Sequence, residues 1–295
     1  MLFRSLKATL ARALEDDLLE TYAANATNEP YRFDAHGVAR RARRNTALSL
    51  LMELGTSRVR ALAADQHDTA DNMTDAMAAL TALVHWPGPE RDRVLAAFEA
   101  RWRDDSLVMD KWLAAQAAAR GSDTLARVRE LMGHAMFDLK KPNKVRALIG
   151  TFAHANPAVF HRPDGAGYDF LTDRIIELDH LNPQIAARLA NAFANWRRFP
   201  EDGKRLMEAS LERTRQALVD TQEQLDVLKK AGVVDAGAKG FVDLIKGMHE
   251  FVVKGRIADK PDMTLLHGAD AIPVTAGTSN DYAFRYRSEE HTSTP

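Results

Sequence analysis

The chain has 295 residues, 45% hydrophobic and 27% charged, proportions that suit a buried core and exclude charge-driven disorder. Its 40 Lys and Arg against 41 Asp and Glu leave a net charge of −1, which excludes the broad basic excess of a non-specific nucleic-acid binder. The absence of Cys excludes disulfides, zinc–thiolate sites, iron–sulfur clusters and Cys nucleophiles, and fits a reducing compartment.

The N-terminus carries Arg4, Lys7 and Arg12, but Glu15, Asp16 and Asp17 follow at once, so the continuous apolar stretch of a secretory signal is missing. No apolar run approaches the roughly 20 residues that span a bilayer. A cytoplasmic protein without membrane contact is expected.

Helical periodicity runs from residue 1 to about 216. Helices are expected near 3–24, 36–54, 57–65, 70–84, 89–101, 105–119, 123–132, 142–154, 168–179, 183–195 and 203–216. Asn72 with Asp75 three residues on, Asn156-Pro157 and Asn182-Pro183 read as N-caps, the prolines at the first helical position where a missing N–H costs nothing. Gly55, Gly121 and Gly203 read as ends or connections. In the helix after Ser106, Val108, Met109, Trp112 and Leu113 share one face, with Asp110 and Lys111 pointing away. Short helices joined briefly pack as antiparallel pairs, and a run of pairs makes an all-α solenoid of the HEAT or armadillo kind.

After residue 216 the composition shifts. A charged helix at 217–230 leads to the glycine-rich stretch Gly232–Gly240 and a helix near 237–253, then to a loop-rich tail. The expected division is 1–216 for the solenoid, 217–256 for a helix–loop–helix piece and 257–295 for a loop-rich, partly disordered tail.

The chemistry is sparse. His249-Glu250 is the nearest approach to the His-Glu-x-x-His zinc motif, but Val253 occupies the second histidine position. Neither a Gly-x-Ser-x-Gly elbow nor a Walker loop is present. Arg40, Arg41, Arg43 and Arg44 read as a solvated helix face, with Ala42, Leu48 and Leu51 supplying the buried side. Trp86, Trp102, Trp112 and Trp196 read as core or half-buried anchors. Gln184 and Arg188 lie four apart on one helical face. An amide and a guanidinium there can hold a carboxylate or carbonyl, although on spacing alone they read as an ordinary exposed polar face.

Six strings change that weighting: Asn72–Met77, Leu107–Trp112, Pro142–Arg146 with Leu148-Ile-Gly150, Asn156-Pro157 with Phe160-His161, Asp164-Gly165 with Gly167-Tyr168, and Asn182-Pro-Gln184 with Arg188-Leu189. In this order they resemble the C-terminal helical domain of bacterial aminopeptidase N, the M1-family zinc alanyl aminopeptidase. The resemblance implies a superhelical domain that encloses the active-site chamber of a separate catalytic domain. Gln184 and Arg188 would contact the peptide beyond its scissile bond and Arg146 would line the same cavity. It implies no catalytic residue, metal ligand or cofactor in this chain, zinc belonging to the parent's catalytic domain. It implies peptide and that catalytic domain as partners, and self-association through the exposed docking face. The alternative is a stand-alone α-solenoid that binds peptides or proteins in its concave face.

The tail resembles something else. Gln224-Leu225 and Val227–Phe241 are similar to the end of a dihydroxyacetone kinase-like (DhaL-like) domain of fatty acid kinase-type proteins, which would place Asp235, Ala236 and Gly237 near a nucleotide. The match fails after Tyr286, where Arg287 and Ser288 replace Cys and Thr. The magnesium-binding carboxylates of that family are missing upstream, so kinase chemistry is not expected. Met1 is expected to be an internal start and the chain a chimera with its junction near residue 216.

Overall fold

The computed structural model describes residues 2–27, 29–194 and 199–224, with 247, 248 and 250. Among them there is no strand; helices follow one another through short connections. The first are α1 (Leu2–Ala13) and α2 (Glu15–Ala24). A single helix over 3–24 is expected from the sequence, but the axis bends at Leu14 (φ −115°, ψ 18°). The bend follows from divergent packing, since α2 lies along α3 (Ala35–Leu51) while α1 reaches the 3-10 turn Met52–Leu54 beyond it. That turn ends on Gly55, whose φ of +64° lies where a Cβ is strained.

Next come α4 (Ser57–Thr69), α5 (Met73–Leu83), α6 (Pro89–Trp102), α7 (Ser106–Ala117) and α8 (Thr124–Met132). Side-chain caps mark several of the starts. Asp34 accepts from Gly37 N at 2.6 Å, Asn72 from Asp75 N at 3.0 Å, and Asp105 from Leu107 N at 3.0 Å and Val108 N at 3.1 Å. Helix α4 runs past the expected end at 65, and so places Gln66 in the core.

The expected helix 142–154 is three pieces: α9 (Pro142–Val145), a π-helical turn Arg146–Gly150, and α10 (Thr151–Ala155). Then follow α11 (Pro157–Phe160), α12 (Ala166–Asp179), α13 (Pro183–Ala190) with the 3-10 turn Asn191–Phe193, and α14 (Glu201–Gln224). Asn156 and Asn182 cap α11 and α13. Helix α14 begins before residue 203 and continues past 216, so Gly203 lies in its first turn and ends nothing.

Neighbouring helices pair along the chain: α2 with α3, α4 with α5, α6 with α7, α7 with α8 and the π turn, and α12 with both α13 and α14. The architecture is an all-α solenoid, its core a continuous strip between layers. Leu48 and Leu51 on α3, Leu80 and Leu83 on α5, Phe98 on α6, Met109 and Leu113 on α7, Phe152 on α10 and Leu171 on α12 are all at most 1% exposed. Each such side chain contributes about 1.5–3 kcal/mol by leaving water. Ala42, expected on the buried side of α3, is exposed, and Ala47 is buried instead.

Buried polar groups join the layers through hydrogen bonds between helices. Gln66, fully buried, donates through Nε2 to Asn45 Oδ1 (2.8 Å) and to the carbonyl of Asp75 (3.1 Å). Asn45 in turn donates to Asp75 Oδ1 at 2.7 Å, so α3, α4 and α5 share one network. Trp112 donates its indole N–H to Leu95 O at 3.0 Å, tying α7 to α6. Trp86 and Trp102 pack partly buried against the core, and Trp196 lies outside the described residues.

Candidate functional site

Most strings that carry the family resemblance are structural staples. Lys144 of α9 is buried, its side chain 4% exposed, and its ammonium lies 2.7 Å from Asp110 Oδ1 and donates to Ser106 O at 2.8 Å. Two strings far apart in sequence therefore meet as one ion pair between α9 and α7. Asp110 does not simply point to solvent, as its helical position suggests; α9 covers it. Asn156 is buried and donates to Ala117 O (2.9 Å) and Ala119 O (2.6 Å), closing the end of α7.

The His161–Tyr168 region is a second staple. Gly165 sits at φ +71° before α12, and a Cβ on Gly167 would stand 2.2 Å from Phe160 O. This close approach lets α12 press on α11 and brings the Tyr168 hydroxyl 2.9 Å from His161 Nδ1, within a cluster of Phe160, Phe193 and Phe199. Burial pushes the His161 imidazole down to about 4 and the Tyr168 phenol up to about 12. The neutral imidazole and the protonated phenol then share one hydrogen bond through Nδ1.

The unfolded chain binds a proton at His161 near the ordinary value of 6.5, while the folded chain resists it. This contribution to stability is therefore complete above pH 6.5 and is lost as the pH falls toward 4. The urea midpoint should drop between pH 7 and 5 more steeply in the native sequence than in His161→Gln. Identical slopes for the two would refute the assignment.

The sequence-expected binding residues occupy two places. Gln184 and Arg188 are both exposed on α13, one turn apart, and no hydrogen bond or ion pair with another described residue holds either side chain. Arg146 is exposed at the head of the π turn and donates to Asn143 Oδ1 at 2.6 Å. The π turn packs on α7, α9 and α10, whereas α13 packs on α12. Among the described residues no hydrogen bond or ion pair joins Arg146 to Gln184 or Arg188, so a ligand touching all three would have to bridge two elements. A π turn widens the helix locally and recurs at functional positions; the sequence contained no signal for it.

The Arg40–Arg44 cluster departs from a plain solvated face. Arg40, Arg41 and Arg44 are half-buried and only Arg43 is exposed. The Arg44 guanidinium stacks 4.7 Å above the Tyr22 ring and donates to its hydroxyl at 3.1 Å, while that of Arg41 lies 4.7 Å above Tyr31. Among the described residues no group of three His, Asp or Glu side chains could hold a metal ion. No described helix is long and apolar enough to cross a membrane. Asp235, Ala236 and Gly237 lie outside the described residues, as do almost all of 217–256 beyond Gln224 and the whole of 257–295.

Comparison with known proteins agrees with the all-α solenoid fold. A family model described as a domain of unknown function (DUF3458_C) with ARM repeats matches residues 2–230, past the junction expected near 216. Aminopeptidase N of Escherichia coli (strain K12) is 40% identical over 208 residues, 70% of this chain and 24% of that protein. Aminopeptidase N of Haemophilus influenzae is 39% identical over 210 residues, and that of Caulobacter vibrioides 38% over 208, with the same coverage. The chain thus spans about a quarter of the length of these curated relatives. Among solved structures, Legionella pneumophila aminopeptidase A in complex with aspartic acid aligns with a TM-score of 0.68 at 25% identity, over 82% of this chain and 27% of that one.

Proposed function

Because the chain belongs to the family of ARM-repeat domains that form the C-terminal part of aminopeptidase N, we propose that it is the peptide-enclosing domain of an M1 zinc aminopeptidase, which removes N-terminal residues from peptides. The observation that carries this reading is the exposed Gln184–Arg188 pair on α13, held by no other described residue and lying within the aligned region. The amide and the guanidinium are donors suited to peptide carbonyls and a C-terminal carboxylate. With Arg146 they act as binding groups, while zinc and the reacting groups reside in the catalytic domain. The exposed stripe of Leu6 and Leu10 on α1 with Leu14 at the bend, 55%, 44% and 42% exposed, is the face we assign to docking that domain. Left uncovered, the same stripe favours self-association. We place the enzyme in the cytoplasm. Within this reading the domain is 1–216, with 217–256 and 257–295 as an appendage whose Asp235, Ala236 and Gly237 would be remnants of a nucleotide site.

The test uses alanyl-p-nitroanilide and short alanine peptides. The chain with added zinc should give no turnover. Adding it to Escherichia coli aminopeptidase N from which the corresponding domain has been removed should restore peptide hydrolysis. With Arg188→Ala the restored enzyme should show a KM about tenfold higher at little-changed kcat, the loss of one charged hydrogen bond that does not strengthen in the transition state. Failure to restore hydrolysis, or an unaltered KM in Arg188→Ala, would overturn the proposal.

A further inference from the structure

A polar cleft of about 750 Å³ opens at the N-terminal end of the solenoid, between the 25–34 connection, α3, and the α4–α5 corner. Its charges are sorted by wall. Helix α3 contributes Arg40, Arg41 and Arg44, while Asp65 on α4, Asp71 at the corner and Asp75 on α5 form the other side; Glu29, Arg32 and Asp34 come from the connection and His36 from the start of α3.

Several of these groups are committed to the walls. Asp34 accepts from Gly37 N, Asp71 from Tyr31 N (2.7 Å) and Asn72, and Asp75 from Asn45 and Asn72. Arg41 donates to Arg32 O at 3.3 Å and Arg44 to Tyr22 OH. Among the described residues no arginine of the cleft has a carboxylate within ion-pair distance. Elsewhere Arg60, Arg91, Arg93 and Arg120 each reach one, at 2.8–3.6 Å. Arg40 is half-buried with no hydrogen-bond acceptor among the described residues, and the Asp65 carboxylate has no donor there. Half-buried guanidiniums in proteins ordinarily find an anion, since an unpaired one forfeits its hydration without compensation.

The cleft thus offers an uncommitted cation on one wall and an uncommitted carboxylate on the other, in a volume that suits a small organic ligand better than a single ion. We infer that this cleft is a binding site for a zwitterion, a short peptide or free amino acid, whose carboxylate is held by Arg40 with Arg41 and Arg44 and whose ammonium is held by Asp65. The site is separate from Gln184 and Arg188 and does not rest on the role proposed for them.

The experiment titrates the full chain bearing Arg188→Ala and Gln184→Ala, so that the α13 face cannot contribute, and follows binding by calorimetry and by amide shifts. The probes are trialanine, N-acetyl-trialanine, trialanine amide, alanine and inorganic phosphate. Trialanine or alanine should bind saturably at millimolar concentration and shift the amides of Tyr31 and Gly37. Blocking either terminus should weaken binding about tenfold or more, the loss of one charge-assisted hydrogen-bonded contact. Tighter binding of trialanine assigns the cleft to peptides, and equal binding of alanine assigns it to free amino acids. Arg40→Gln should abolish the response. Should that variant fail to fold, Asp65→Asn, at an exposed position, must weaken trialanine until it binds no better than N-acetyl-trialanine, whose own binding stays unchanged. Absence of saturable binding, phosphate binding as tightly as trialanine, or indifference to blocked termini would overturn the inference.

Discussion

Gly167→Ala should destabilise the chain by about 3 kcal/mol, the upper end of overpacking costs. Its Cβ would lie 2.2 Å from Phe160 O and 2.9 Å from Phe160 C and Cα. These are backbone atoms of α11, so no side chain can swing aside to make room. To accept the methyl group, α12 must lift from α11, which parts Tyr168 from His161 and opens the Phe160–Phe193 contact. Gly133→Ala is the control, because there the added Cβ would meet only Glu130 O at an ordinary 3.4 Å. Urea denaturation should place the Gly167→Ala midpoint well below that of the native chain and Gly133→Ala close to it. Equal midpoints for the two variants would show that the α11–α12 approach is not tight.

The second large effect concerns the ion pair between α7 and α9. Asp110→Ala removes the carboxylate from Lys144, whose side chain is 4% exposed, and strands an ammonium that keeps, among the described residues, Ser106 O as its partner. Breaking a buried pair in this way costs about 3–5 kcal/mol. Replacing both partners with apolar residues of similar size removes the stranded charge, so Asp110→Leu with Lys144→Met should recover most of the loss. The reading rests on this non-additivity. If the double variant is as unstable as the sum of the single ones, the damage comes from lost packing and not from an unpaired charge.

Particular residues show how far the sequence could be read. The caps at Asn72, Asn156 and Asn182 were visible because donor and acceptor lie three residues apart on one strand of chain. The burial of Met109, Trp112 and Leu113 followed from helical spacing. Gln184 and Arg188 could be placed on one face for the same reason, and both are exposed. Their relation to Arg146 was not legible, since it depends on how α13 and the π turn are carried by different neighbours. Helical spacing alone makes the arginines of α3 a solvated face, but Tyr22, Tyr31 and the α4–α5 corner, which half-bury Arg40, Arg41 and Arg44, come from elsewhere in the chain.

What the sequence determined by itself was local or repetitive. It specified helix after helix, their caps and apolar faces, and the ordered strings that mark the family, because hydrogen bonds and periodicity within a few residues are written in adjacency. What only the tertiary structure decided was the bend at Leu14, the π turn at Arg146, the Lys144–Asp110 pair and the two-signed cleft around Arg40. Each depends on which helix packs against which. That choice is made by close packing of the whole core, where a bend or an extra residue in a turn costs less than a cavity or an unpaired charge.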